Sequence, residues 1–382
     1  MQTNPMVESL LRERIIETLT NQGFCVNGHI VPTLTDKNSI KKIHEYSKNE
    51  QIKLQREFLK EGYKTIRKYL INGEDIEPEK IDLELRVVEK GTETYKIFRW
   101  WNLAWWSVPY QRAYGRQIRF LLWDKTHNAP FGLLGLQSPI LKMSVRDDFL
   151  QIPKESLDVW VNRSMQAQRL GAIPPYNQLL GGKMVALSLT SNELRKVYKD
   201  KYRNSETLIE KRIIKPDLLF LTTTSAFGRS SIYNRLKYKD EPIAESLGFT
   251  KGSGTFHIPQ ELYIDILTFL SQKGINNKTS FGNGPSRKIK LLDKAFGMLD
   301  LGQFTYHNIQ REFFLFPLTK DLKQVISKGY KPDYYDRKLI DLTQFWKERW
   351  CIPRSERFSD WKKFNGEELV NKIMKESVNG NT

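Results

Sequence analysis

Residues 224–235 concentrate the chemistry in this chain: Thr224, Ser225, Ala226, Phe227, Gly228, Arg229, Ser230, Ser231, Ile232, Tyr233, Asn234 and Arg235. Gly228 allows a tight turn, and hydroxyls, backbone amides and the Arg229 guanidinium then gather at the start of a predicted short helix. Such a cluster holds a phosphate or an acidic substrate. Capping by Ser230 or Ser231 is the plainer role, but one cap needs neither Arg229 nor so many hydroxyls. A second glycine-rich run follows at 248–257, where Gly248, Gly252 and Gly254 let the chain approach a ligand or another backbone closely. Thr250 and Lys251 lie within it, and His257 ends it as a candidate acid or base, with a structural histidine as the alternative. Tyr233 and Arg229 are the other catalytic candidates.

A third run precedes these two. Pro174 and Pro175 lead into Gln178, Gly181, Gly182 and Lys183 at a predicted helix start. Paired glycines there admit an anion to backbone amides, and Lys183 adds a charge. A tight strand-to-helix turn explains the same residues. The run lacks the earlier glycine of a Walker loop. It is similar to the helix opening of acyl-CoA-dependent acetyltransferases at Gln178, Gly181 and Gly182, although Lys183 stands where a small residue belongs. That similarity makes an acyl-CoA-like ligand the one cofactor in view.

The aromatic residues Phe98, Trp100, Trp101, Trp105, Trp106 and Tyr110 are accompanied by Arg99, Arg112, Arg116 and Arg119. This composition suits either a stacking platform for nucleic acid or a buried staple. The staple is the simpler reading of the tryptophans, and Arg112, Arg116 and Arg119, with Lys251 of the second glycine run, are the nucleic-acid contacts to expect. Five scattered histidines and no Cys-x-x-Cys give no metal pattern. Asp124, Asp147 and Asp148 form a candidate acidic set for a Mg²⁺-dependent nuclease, with turn and cap roles as the stronger alternative.

The elements that must position these residues are of mixed type. Val7, Leu10, Leu11, Ile15 and Leu19 share one helical face that Gly23 ends, and a second helical stretch runs over 37–70 with a lysine-rich exterior. The acidic segment 73–93 reads as a boundary loop. Residues 118–123 and 131–137 predict a hairpin, and 169–173, 218–224, 254–258 and 313–318 further strands. Helices are expected over 184–197, 230–238, 260–270, 342–350 and 367–374. The fold class is therefore α+β, with an N-terminal helical region over 1–95, a basic central α/β domain over 96–280 and a mixed region over 281–382.

The chain has 382 residues and a formal charge of +17, from 61 Lys plus Arg against 44 Asp plus Glu. Residues 96–318 hold 32 of the basic and 18 of the acidic side chains, net +14. A folded region this basic points to a polyanion, and nucleic acid is the expected partner. No apolar run approaches the roughly 18–20 residues of a membrane span. The N-terminus lacks the pattern of a signal peptide. Cys25 and Cys351 are too few for a disulfide framework, so a cytoplasmic protein is expected.

Several runs together resemble the DruA family of the Druantia anti-phage defence system. They are 170–177 with 179–183, 224–226 with 228–231, Tyr233 to Leu236, and 248–252. Shorter matches follow the chain in order: Trp106 to Pro109, Gly115-Arg116, Arg119-Phe120, Arg146-Asp147, Gly284-Pro285 with Arg287, Arg311-Glu312, Glu348-Arg349-Trp350 and Pro353-Arg354. Phe227 departs from an expected leucine, and Ser253 and Ser286 from expected tryptophans, so no stacking role is carried to those places. The resemblance implies phage defence alongside partner proteins, among them a large helicase-like protein, and supplies no catalytic residue. The glycine-opened helix after a strand also resembles the acetyltransferase-like fold, which includes nucleobase-modifying enzymes. Two functions follow as expectations: a nucleic-acid-binding defence component, or a nucleic-acid-modifying transferase.

Overall fold

The computed structural model describes residues 5–105, 108–109, 113–207, 211–276, 287–302 and 306–376. Helix α1 (Pro5–Asn21) buries Leu11, Ile15 and Leu19 and stops at Gly23, whose φ of +96° suits glycine. A small hairpin, β1 (Phe24–Val26) and β2 (Ile30–Pro32), leads to α2 (Lys37–Leu54). The Asp36 carboxylate caps α2 through the amides of Asn38 and Ser39. A separate helix, α3 (Arg56–Arg67), follows at once. The single helix expected over 37–70 is two helices that meet at Gln55: Ile40 and Ile43 of α2 enter one core, and Ile52 of α2 joins Leu59 and Ile66 of α3 in another.

The expected boundary loop at 73–93 contains a strand, β3 (Leu83–Val87), and the start of α4 (Glu93–Ala104). The predicted hairpin is present as β4 (Gln117–Asp124) and β5 (Ala129–Gln137). Then come α5 (Ser144–Phe149), α6 (Leu157–Asn162) and β6 (Ser164–Ala172). The helix expected over 184–197 is two, α7 (Gly181–Ser188) and α8 (Asn192–Tyr202), because Ser191 caps a new start at the Leu194 amide. Next are β7 (Phe220–Thr224), the short pair β8 (Lys237–Tyr238) and β9 (Glu241–Pro242), and β10 (Glu245–Phe249). Residues 254–258 form turns rather than the expected strand. Helices α9 (Gln260–Gln272) and α10 (Arg287–Met298) precede β11 (Glu312–Pro317). The chain closes with α11 (Leu322–Lys328), α12 (Leu339–Trp346), a π-helical turn (Lys347–Cys351), α13 (Ile352–Arg357) and α14 (Gly366–Glu376).

Seven strands form one mixed sheet in the order β10-β11-β7-β6-β5-β4-β3. Only β6 and β7 are parallel. Side chains alternate across it, as a pleat requires. Phe120, Leu122, Leu134, Phe314 and Phe316 enter the core beneath α7, α8 and α12. On the other side, Leu121, Trp123 and Leu133 pack with Trp100, Trp101 and the α3 face. Phe220 and Leu315 join a smaller core with α11. A separate helical core unites α1, the β1–β2 hairpin and the start of α2 with Phe256, Ile258, α9, α10 and Ile309. The first 95 residues thus share their cores with later segments. No helix among the described residues is long and apolar enough to cross a membrane.

Candidate functional site

Registers place the chemistry-bearing runs at one end of the sheet. Ala172 ends β6 and Thr224 ends the parallel strand β7. Glu312 begins β11 and pairs with Phe249 at the end of β10. Residues 173–183, 225–236, 250–258 and 306–312 therefore leave or enter the sheet at its β6/β7 carboxyl end. Crevices at the carboxyl ends of parallel strands are the common ligand sites of open sheets.

The 225–236 loop is organised around Glu312, a buried carboxylate (4% exposed) without an ion pair among the described residues. Its oxygens accept from the Ser230 amide (2.9 Å), Asn234 Nδ2 (2.9 and 3.1 Å) and Ser246 Oγ (2.8 Å). The Ser225 hydroxyl accepts from the Glu312 amide at 3.0 Å. These donors explain why the helix expected over 230–238 is a short 3₁₀ turn (Tyr233–Arg235) followed by β8. Gly228 (φ +60°) makes the turn, and Arg229, Ser231, Asn234 and Arg235 remain exposed. Tyr233 packs edge-on against Phe314 and Phe316 at 5.0 and 5.9 Å, and burial raises its phenol pKa. Sequence reasoning did not select Glu312, although its position in a matched Arg-Glu pair was a signal.

The glycine-opened helix meets this loop. A Cβ on Gly181 would lie 2.6 Å from the Tyr176 carbonyl oxygen and 2.9 Å from Ala172 Cβ, so Gly181 serves close helix–strand packing. Gly182 is looser and faces Ile232 of the neighbouring loop, 3.4 Å from a built Cβ. The C-terminal segment covers the same turn. Trp346 Nε1 donates to the Leu180 carbonyl (3.2 Å) and Arg354 Nε to the Gln178 carbonyl (3.3 Å). Half-buried Lys183 stands 4.9 Å over the Trp350 ring. Burial first, then Arg235 and Arg349, lower its pKa. Arg349 and Trp350 belong to this cluster and were not among the sequence-selected site residues.

The 248–257 run is built into its surroundings. Thr250 exchanges bonds with Arg311, giving its amide to the Arg311 carbonyl (2.9 Å) and accepting the Arg311 amide at Oγ1 (3.1 Å). Gly252 (φ +73°) is packed on Asn308, and its carbonyl accepts the His307 and Asn308 amides. Lys251 is exposed. His257 is enclosed by Phe24, Phe256 and His307, with ring centroids 5.3–5.4 Å away. Burial, then His307 and Lys288, hold its pKa well below the ordinary imidazole value. His44 is equally buried and accepts from Arg311 Nη2 at 2.9 Å. Burial lowers the Arg311 guanidinium to about 10. Gly181, Gly252 and His257 are thus each packed inside, whereas Arg229, Arg235 and Lys251 face outward at the same end of the sheet.

Other expected residues lie elsewhere. Arg116 and Arg119 sit at the start of β4, the opposite end of the sheet. Arg116 donates to Tyr198 Oη (2.6 Å) and the Ser164 carbonyl (3.1 Å), and Arg119 to Gln117 Oε1 (2.7 Å). Arg112, Trp106, Tyr110 and Ser286 lie outside the described residues. Trp100 and Trp101 are core. Asp124 is fully buried, accepting from Tyr176 Oη (2.9 Å) and bonded to His127 Nδ1 (2.6 Å). Asp147 is bound by Arg146 and the Met143 amide, and Asp148 is exposed. Asp124 and the Asp147–Asp148 pair do not meet. Among the described residues, no cluster of three histidine, cysteine or carboxylate side chains is placed to hold a metal ion.

Comparison with known proteins identifies the family of the chain. A family model described as Druantia protein DruA matches residues 34–328. The Druantia protein DruA of Escherichia coli (strain UMEA 4076-1) is 30% identical over 378 residues, covering 97% of this chain and 93% of its own length. No solved structure matches the chain.

Proposed function

The chain belongs to the DruA family, and we propose that it is the nucleic-acid-binding component of a Druantia anti-phage system, acting with the system's other proteins. One observation carries the reading. Lys183, Arg235 and Arg349, with exposed Arg229 and Lys251, gather at the loop-bearing end of the sheet, and none has an ion-pair partner among the described residues. The lysine-rich exterior of α2 and α3 is mixed: Lys53, Lys60, Arg67 and Lys68 carry ion pairs, whereas Lys41, Lys42 and Lys64 carry none among the described residues. Paired charges are a solvated face, whereas unpaired clustered cations favour phosphate. A salt-titrated filter-binding assay with duplex and single-stranded DNA and RNA tests this. Affinity falling steeply with salt supports it, and no affinity at moderate salt removes it.

A second reading is a nucleic-acid-modifying transferase with an acyl-CoA-like ligand. It is favoured by the sheet order, in which the lone parallel pair lies centrally and its first strand feeds the glycine-opened helix. A strand followed by a glycine-opened helix is what the acetyltransferase-like expectation names, and it is a fold analogy. Gln178, Gly181 and Gly182 would line the ligand, with Lys183 in place of a small residue. Native mass spectrometry of the purified protein tests it: a retained cofactor supports the transferase. No retained cofactor, together with full protection by Arg229→Ala and His257→Ala, rejects it.

A further inference from the structure

We propose that Lys183, Arg235 and Arg349 form a site for a multiply charged phosphate, a monoester or a pyrophosphate, as found at a nucleic-acid strand end or on a nucleotide. The inference deepens the nucleic-acid reading above and rests on it. Three chain segments far apart in sequence build the site. Lys183 comes from the first turn of α7, Arg235 from the 3₁₀ turn after β7, and Arg349 from the π-helical turn after α12. They are locked together by specific contacts. Ile232 sits against Gly182, Trp346 and Arg354 bond the carbonyls of Leu180 and Gln178, and Trp350 provides the ring beneath Lys183.

Charge counting selects the ligand. Arg235 and Arg349 both act on Lys183 as like charges, the Trp350 ring offsets only part of that repulsion, and an anion held among the three relieves it. Their one sequence-adjacent acid, Glu348, accepts from Gln344 Nε2 at 2.6 Å and forms no ion pair with them among the described residues. A phosphodiester brings a single negative charge and leaves two cations unmatched. A terminal phosphate brings about two at neutral pH, and a pyrophosphate more. Half-burial of Lys183 points the same way, because a partly desolvated cation gains more from a compact dianion than from a hydrated backbone.

The test uses the full chain with three probes: inorganic pyrophosphate, and one single-stranded DNA oligonucleotide carrying either a 5′-phosphate or a 5′-hydroxyl. Binding is read by fluorescence anisotropy of the oligonucleotides and by competition with pyrophosphate. The expected result is at least about a tenfold preference for the 5′-phosphate and displacement by pyrophosphate. Lys183→Met and Arg349→Gln should abolish the preference without lowering the melting temperature. Pyrophosphate binding that is lost in both variants, without a strand-end preference, identifies a free nucleotide as the source and also supports the site. If both oligonucleotides bind alike and pyrophosphate does not compete, the inference is overturned while nucleic-acid binding stands. If no probe binds, both readings fall.

Discussion

An alanine at Gly181 would place its Cβ 2.6 Å from the Tyr176 carbonyl oxygen, 2.9 Å from Ala172 Cβ and 3.0 Å from Phe131 Cζ. All three neighbours are buried, and the nearest is backbone, which cannot rotate aside. Overpacking of this kind costs about 1–3 kcal/mol, and the backbone contact puts Gly181→Ala at about 3 kcal/mol. Helix propensity returns at most about 1 kcal/mol, less in a first turn, so the net loss is about 2 kcal/mol. At Gly182 the nearest atom is Ile232 Cδ1 at 3.4 Å, the tip of a flexible, exposed side chain. Gly182→Ala should therefore leave stability unchanged or raise it by up to about 1 kcal/mol. Urea denaturation followed by circular dichroism measures both. Equal stability of the two variants, or a larger loss at Gly182, refutes the packing argument. A stable Gly182→Ala protein that has lost ligand binding assigns that glycine to close ligand approach.

Glu312→Ala strips the acceptor from Ser230, Asn234 and Ser246. Because Asn234 and Ser246 can turn to water, the expected loss is about 2 kcal/mol, read by urea denaturation with weaker nucleic-acid binding alongside. Stability should also fall on acidification. Burial, with Arg311, lowers the folded-state pKa of His307 from 6.5 to about 4, so the unfolded chain takes up the proton first. The contribution is whole above pH 6.5 and is lost towards pH 4, about 2 kcal/mol of it by pH 5. His44 and His257 shift in the same direction. Calorimetry from pH 7 to 5 should show a falling melting temperature, and a flat profile contradicts the burial of these rings. Arg116→Ala should cost about 1–3 kcal/mol through Tyr198 and Ser164, with nucleic-acid affinity at a permissive temperature changed less than twofold.

How legible the fold was depended on where each residue's partners lie. The β4–β5 hairpin and α9 were readable because their apolar patterns are local. Strand β3 hid within acidic composition, since its pairing with β4 lies some forty residues ahead. The 3₁₀ turn at Tyr233–Arg235 was misread as a helix because the loop's donors answer to Glu312, roughly eighty residues away. The candidate site was legible in its motifs but not in its sides. Arg116 and Arg235 look alike in sequence, yet strand register sends them to opposite ends of the sheet. Arg349 and Trp350 reach Lys183 only through the docking of α12, which no local spacing announces.

The most direct test of the central claim compares salt slopes at the two ends of the sheet. DNA affinity would be measured across a range of salt concentrations for the wild type, Arg235→Ala/Lys251→Ala and Arg119→Ala. Unpaired cations at the loop-bearing end should make the double variant bind more weakly and flatten its log–log slope by about 2. Arg119→Ala should keep the wild-type slope. An unchanged slope in the double variant, or a larger change from Arg119→Ala, would place nucleic-acid contact away from these loops and contradict the account.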